Sequence, residues 1–145
     1  MSTTPTTDQI VAALNSRLRD YFPGMIEFEL QEVTEGFARG RFPVTKRKLQ
    51  PAGLLHGGAT ATLIDTLPSM GMVAHFALRG AKTDFVTTEM SIYYIKGVRD
   101  GDGVRGEARL IKMGRTRATW EVTLWRESDA EIVAKGMCGF QIIGA

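Results

Sequence analysis

The sequence predicts an α+β domain in which a curved antiparallel sheet of about six strands wraps around one long central helix. Three observations carry that prediction. Ala59 to about Leu78 is the one long helical stretch, and its apolar residues fall nearly all round, so it belongs in an interior rather than on a surface. Before and after it run short segments of period two, each bounded by turn residues. The 145 residues suffice for one domain and are too few for two ordinary ones, so helix and strands must share a core. A sheet of this size covers such a helix on only part of its circumference, which points to a second copy of the chain for the rest.

Taken in order, residues 1–7 are Thr-rich, contain Pro5 and are expected to be flexible. An N-terminal helix is expected over 8–21, capped by Asp8, with Ile10, Val11, Leu14 and Leu18 at helical spacing and Pro23-Gly24 closing the pattern. Ile26, Phe28 and Leu30 then alternate with Glu27, Glu29 and Gln31, a strand with one wet face. Thr34-Glu35-Gly36 turns it into a second strand, Phe37 to Val44, and Lys46-Arg47-Lys48 leads on to the long helix. Pro68 should kink that helix or end its regular part, because it lacks an amide donor and crowds the preceding turn. Arg79-Gly80 closes it. Asp84 to Lys96 is rich in β-branched and aromatic residues, and Asp100-Gly101-Asp102-Gly103 is a strong turn signal. Alternating runs follow from Val104, from Ala118 and from Ile132, separated by turns at Met113-Gly114-Arg115 and Ser128-Asp129. No internal repeat or linker interrupts residues 1–145, which read as a single domain.

Composition removes several function classes. Eighteen basic against 16 acidic residues leave a formal charge of +2, too balanced for binding dominated by a phosphate backbone, so no nucleic-acid partner is expected. A single cysteine, Cys138, excludes an internal disulfide framework, and with two histidines a structural metal site is not expected. No apolar run reaches the length of a membrane span. Met1 to Asp8 carries neither a basic nor an apolar run, so no secretory signal is read there, and a cytoplasmic location is the expectation.

The chemistry concentrates between Gln50 and Thr66. Gly57-Gly58 stands at the start of the buried helix, where free backbone N–H groups and the positive end of the helix dipole meet. Such an end can bind a carbonyl oxygen that turns negative in a tetrahedral intermediate. His56 immediately precedes those donors, and Asp65 is a carboxylate among Leu63, Ile64 and Leu67. Each feature alone has an ordinary structural reading as a turn, a satisfied histidine or a loop contact. Together on one buried helix they define a candidate site. Gly57 and Asp65 are eight positions apart, about 12 Å along a helix axis, whereas reacting groups meet at about 3–3.5 Å. If both act on one substrate, Asp65 must come from a second subunit, with the site at a two-fold interface.

The run Gly53-Leu54-Leu55-His56-Gly57-Gly58-Ala59-Thr60-Ala61-Thr62-Leu63-Ile64-Asp65-Thr66 resembles the His-Gly-Gly signature of hotdog-fold acyl-CoA thioesterases, closest to the phenylacetate-pathway (PaaI-like) type. The resemblance continues in Val86 to Tyr94, in Lys112-Met113-Gly114-Arg115-Thr116 and in Ile132 to Gly136. It implies a hotdog fold, a homodimer or dimer of dimers, and hydrolysis of acyl-CoA to free acid and CoA. By position, it implies that the Gly57 N–H polarises the thioester carbonyl and that Asp65 from the other subunit is general base or nucleophile. His56 would orient the thioester or the loop, and Thr87 would hold the attacking water. Gln50 stands where the family usually has Asn, and Gly97 where it commonly has Pro. No cofactor is implied, since CoA is part of the substrate. Candidates for the CoA phosphates are Lys96, Arg99, Lys112 and Arg115, with Gly114 between the last two. Met70, Met72, Phe76 and Tyr93 are candidate acyl-pocket residues. A non-catalytic acyl-CoA-binding protein and a dehydratase on the same fold remain as alternatives, because fold alone does not choose among them.

Overall fold

The computed structural model describes residues 3–144. Its elements are helix α1 (Thr7–Leu18), the short helix α2 (Phe22–Met25), strands β1 (Glu29–Thr34) and β2 (Phe37–Pro43), and helix α3 (Gly57–Ala77). Strands β3 (Asp84–Tyr94), β4 (Gly103–Met113), β5 (Arg117–Arg126) and β6 (Ile132–Ile143) complete the fold. The six strands form one antiparallel sheet in the order β1-β2-β4-β5-β6-β3, curved around α3 as expected.

The N-terminal helix differs from its expected bounds. Thr6, not Asp8, is the N-cap: its side chain accepts from the Gln9 N–H, and the Gln9 side chain accepts from the Thr6 N–H in return. This reciprocal pair satisfies two otherwise orphaned donors, which a lone Asp8 inside the first turn cannot do. The helix therefore starts at Thr7 and stops at Leu18, and the chain turns before Pro23 opens α2. Of residues 1–7, expected to be flexible, Met1 and Ser2 lie outside the described residues, while Thr6 and Thr7 belong to the capped helix. Asn15 fastens α1 to the sheet, accepting from the Leu30 N–H and donating to the Leu30 carbonyl, both at 2.8 Å.

Pro68 does not end α3, which runs unbroken from Gly57 to Ala77. Pro68 is buried in the packed middle of the helix, where burial of Leu63, Ile64, Leu67 and Met72 outweighs one missing backbone bond. The sheet closes over one side of α3. Thr62, Asp65, Ser69, Val73 and Ala77 stay half-buried and form an open stripe along the other.

Trp120 on β5 fixes the depth of α3 in the sheet. Its indole is fully buried and its Nε1–H donates to the Met72 sulfur at 3.2 Å. Gly71 lies against that ring: a methyl group there would stand 2.7 Å from Cζ3. Gly71→Ala is therefore expected to destabilise the protein by about 2 kcal/mol through overpacking. Urea unfolding of the two proteins checks this, with the midpoint lowered and the slope unchanged.

Candidate active site

Of the cavities that open along α3, two hold the predicted reactive groups, Gly57 in one and Asp65 in the other. The first, about 310 Å³, lies at the helix N-terminus and is lined by Gln50, Gly57, Thr60, Tyr94, Lys96 and neighbouring apolar residues. His56 is the N-cap of α3, its Nδ1 accepting from the Gly58 N–H at 2.8 Å. That bond leaves Nε2 to carry the ring proton on the exposed side of the imidazole. The N–H groups of Ala59 and Thr60 bond to the His56 carbonyl. Gly57 keeps its N–H at the positive end of the helix dipole, and Gly57 itself lines the cavity. The Gln50 side-chain oxygen accepts from the Ala52 N–H and shapes the loop that enters the helix.

The second cavity, about 480 Å³, is lined by Phe22 and Pro23 of α2, by Ala61, Thr62, Asp65, Thr66, Ser69 and Met70 of α3, and by Met90 of β3. Thr87 donates to Asp65 Oδ1 at 2.7 Å. The Cys138 thiol on β6 lies 4.0 Å from the same oxygen. Burial, reinforced by the Asp65 charge, pushes that thiol from 9.0 up to about 12, so it stays protonated and can act only as a weak donor. Thr87 and Cys138 both address Oδ1, and Oδ2 has no protein partner among the described residues.

A bulge in β3 decides which side chains reach these cavities. The register against β6 shifts between Thr87 and Glu89, so residues on the helix side run Phe85 and Thr87, then Met90, Ile92 and Tyr94. Uninterrupted alternation from Thr87 leads to Tyr93 instead, which is 74% exposed and lines neither cavity. Tyr94 is the residue that the strand pattern missed. Its hydroxyl donates to the Gly57 carbonyl at 3.0 Å and its ring walls the first cavity. Met72 is also removed from the candidate pocket residues, because it is fully buried under Trp120. Met70 remains, beside Asp65.

The candidate phosphate contacts do not assemble within one chain. Lys96 lines the Gly57 cavity and pairs with Glu131 at 3.5 Å. Arg99 lines an adjoining polar cavity that shares Leu54 and Gly97 with it. Lys112, Gly114 and Arg115 sit at the β4–β5 turn, where the Gly114 N–H donates to the Arg117 carbonyl. That turn is at the far end of β4, about 30 Å of strand away from Arg99.

A family model described as the thioesterase superfamily matches residues 52–133. The proofreading thioesterase EntH of Klebsiella pneumoniae is 33% identical over 117 residues, covering 81% of this chain and 82% of the relative. The 1,4-dihydroxy-2-naphthoyl-CoA hydrolase of Escherichia coli is 27% identical over 115 residues, 79% and 82% of the two chains. The crystal structure of zebrafish thioesterase superfamily member 2 superposes with a TM-score of 0.82 at 22% identity, over 94% of this chain and 98% of that one. The chain belongs to the thioesterase superfamily. Its fold is the hotdog fold, with α3 inside the curved sheet, and its activity is thioester hydrolysis.

The Cys138 environment has a measurable consequence. The folded protein holds the thiol proton more tightly than the unfolded chain, so raising the pH favours unfolding between about pH 9 and about 12. Below that window the contribution is fully present. The urea midpoint of the wild type should therefore fall more steeply with pH across the window than that of Cys138→Ala, which lacks the titrating group. Equal slopes would contradict the assigned environment.

Proposed function

We propose that the protein hydrolyses acyl-CoA thioesters at a site shared by two copies of the chain. The observation that carries this reading is the separation of the two reactive groups. Gly57 and Asp65 line different cavities of one chain, with no lining residue in common. Both cavities, however, border the helix side of β3, through Tyr94 at one end and Met90, with Thr87 beyond it, toward the other.

β3 is an edge strand of 11 residues, paired on one side only, and Val86, Met90, Tyr93 and Tyr94 are exposed along it. Neither proline nor lysine blunts it, so it offers a free ladder for another strand. Two copies pairing antiparallel through β3 would bring the Thr87 end of one beside the Tyr94 end of the other. Asp65 of the partner subunit then approaches Gly57 across the two-fold axis.

In that site the Gly57 N–H and the α3 dipole hold the thioester oxygen and stabilise the negative charge that develops on it. Asp65 of the partner subunit takes a proton from water through its free Oδ2, while Thr87 steadies Oδ1. Water adds to the carbonyl carbon, the C–S bond breaks, and CoA leaves as a thiolate that takes up a proton. His56 presents its Nε2–H beside the entering thioester. Gln50 supports the loop. Lys96 and Arg99 face the CoA phosphates from the Gly57 side, and pairing brings the end of the partner that carries Lys112, Gly114 and Arg115 toward them. The E. coli relative is named for a CoA thioester and the Klebsiella relative for thioesterase activity, which supports this substrate class.

Asp65→Ala should lower kcat for acyl-CoA hydrolysis by about 10²–10⁴-fold, the range of a lost general base. Thiol release measures it, and an unchanged kcat would reject the assignment. Gly57→Val should also be inactive. Co-expressing the two variants should recover about a quarter of wild-type activity, since half of randomly paired dimers carry one intact site of two. Recovery no higher than either parent would reject the shared site.

A further inference from the structure

Beyond the Asp65 cavity lies a third one, also about 480 Å³, that no part of the proposed chemistry uses. All of its lining residues belong to one chain. Leu14 and Leu18 of α1 form one wall, Val73, Phe76 and Ala77 of α3 the second, and Phe85 of β3 the third. Arg17, Lys82 and Asp84 are exposed at its rim. Met70 lines both this chamber and the Asp65 cavity, so the two meet at one unbranched, flexible side chain.

The same face of α3 lines both cavities, and its chemistry changes along the way. Thr62, Asp65, Thr66 and Ser69 line the Asp65 cavity, whereas Val73, Phe76 and Ala77 line the third. A ligand lying along this face meets hydroxyls and a carboxylate first and only apolar helix residues afterwards. From Asp65 to Ala77 the path runs about 18 Å along the helix axis. On this path a compact aromatic acyl group would end within the Asp65 cavity, while an extended alkyl chain would reach the third.

We infer that the chamber between α1 and α3 seats the tail of an extended aliphatic acyl group, with Met70 at its entrance. The inference rests on the thioesterase reading for the position of the thioester and names the substrate class of that site as medium- to long-chain fatty acyl-CoA. It also gives α1 a role. The helix packs on the sheet through Asn15 and turns Leu14 and Leu18 to the chamber, so it acts as the outer wall of the tail site.

The test is equilibrium binding of two non-hydrolysable thioethers, S-butyl-CoA and S-dodecyl-CoA, by titration calorimetry. The wild type should bind the dodecyl compound at least about tenfold more tightly, since the added methylenes leave water. Val73→Trp, which fills the chamber, should reduce that advantage to below about threefold while changing butyl-CoA affinity less than about twofold. Ala77→Phe, at the far end, provides a second variant should Val73→Trp fold poorly, and it should cost the longer tail alone. Equal affinity for both tails in the wild type, or equal weakening of both in the variants, would overturn the chamber. Hydrolysis of dodecanoyl-CoA by the wild type separates the two ideas. Tail-dependent binding with no thioester turnover rejects the proposed acyl-CoA site chemistry and leaves the chamber standing, and turnover without tail dependence does the reverse.

Discussion

Eight residues of one helix separate the Gly57 amide from the Asp65 carboxylate, and the rest of the architecture answers to that interval. An α-helix is rigid at 1.5 Å per residue, so no side-chain motion brings both groups onto one carbon. In the proposed mechanism the helix dipole puts the oxyanion site at the N-terminus. The carboxylate sits two turns further along, half-buried, with Thr87 and Cys138 directed at one oxygen and the other left free. On the proposed reading, a chain built in this way holds two half-sites. Joining them would call for a second helix in the opposite direction, and the proposed pairing uses an edge strand of 11 residues that carries neither proline nor lysine.

The parts of this arrangement that depend on local pattern were legible in the sequence. The six strands, the buried helix and the Gly57-Gly58 start all follow from periodicity and turn residues, and the distance between Gly57 and Asp65 follows from counting. The open stripe on α3 was foreseeable as well, because a single sheet cannot enclose a helix. What sequence alone did not show is tied to non-local geometry. The position of β3 beyond β6, rather than beside β2, is a choice of partner that no alternation records. The bulge after Thr87 moves one register step, and with it exchanges Tyr93 for Tyr94 at the Gly57 carbonyl. The pairing of Thr6 with Gln9 is present as a Thr-x-x-Gln spacing, and Asp8 competes with it as a start signal because an acidic residue also favours the first turn of a helix. Pro68 is a different failure. Propensity counts the lost hydrogen bond, and the packing of Leu67 and Met72 around it, visible only in three dimensions, outweighs that loss.

Cys138 shows how the core and the site share atoms. The residue belongs to the buried face of β6, two positions from Phe140 and Gly136, and its neighbours pack as an ordinary core. Gly136 leaves room for Ile64, whose methyl groups stand about 3 Å from where a Cβ would be. The helix therefore comes close to the sheet at that point, and close approach is what brings the Asp65 carboxylate within reach of both Cys138 and Thr87. A carboxylate placed this way has its orientation set by three elements at once, which would lower the reorganisation required of it as the proposed base.

In a monomer the open edge leaves unpaired backbone groups and the exposed Val86, Met90, Tyr93 and Tyr94 along it, and the open stripe leaves a core helix half-covered. They lie side by side, since β3 runs along the uncovered flank of α3 and contributes Met90 and Phe85 to the cavities there. One partner copy placed against that flank can therefore pair the edge, cover the stripe and complete the chemistry together. Selection for any one of these would favour the other two. On the proposed mechanism, such coupling gives a physical reason for the Asp65 base to stand on the face of a helix that its own sheet leaves bare.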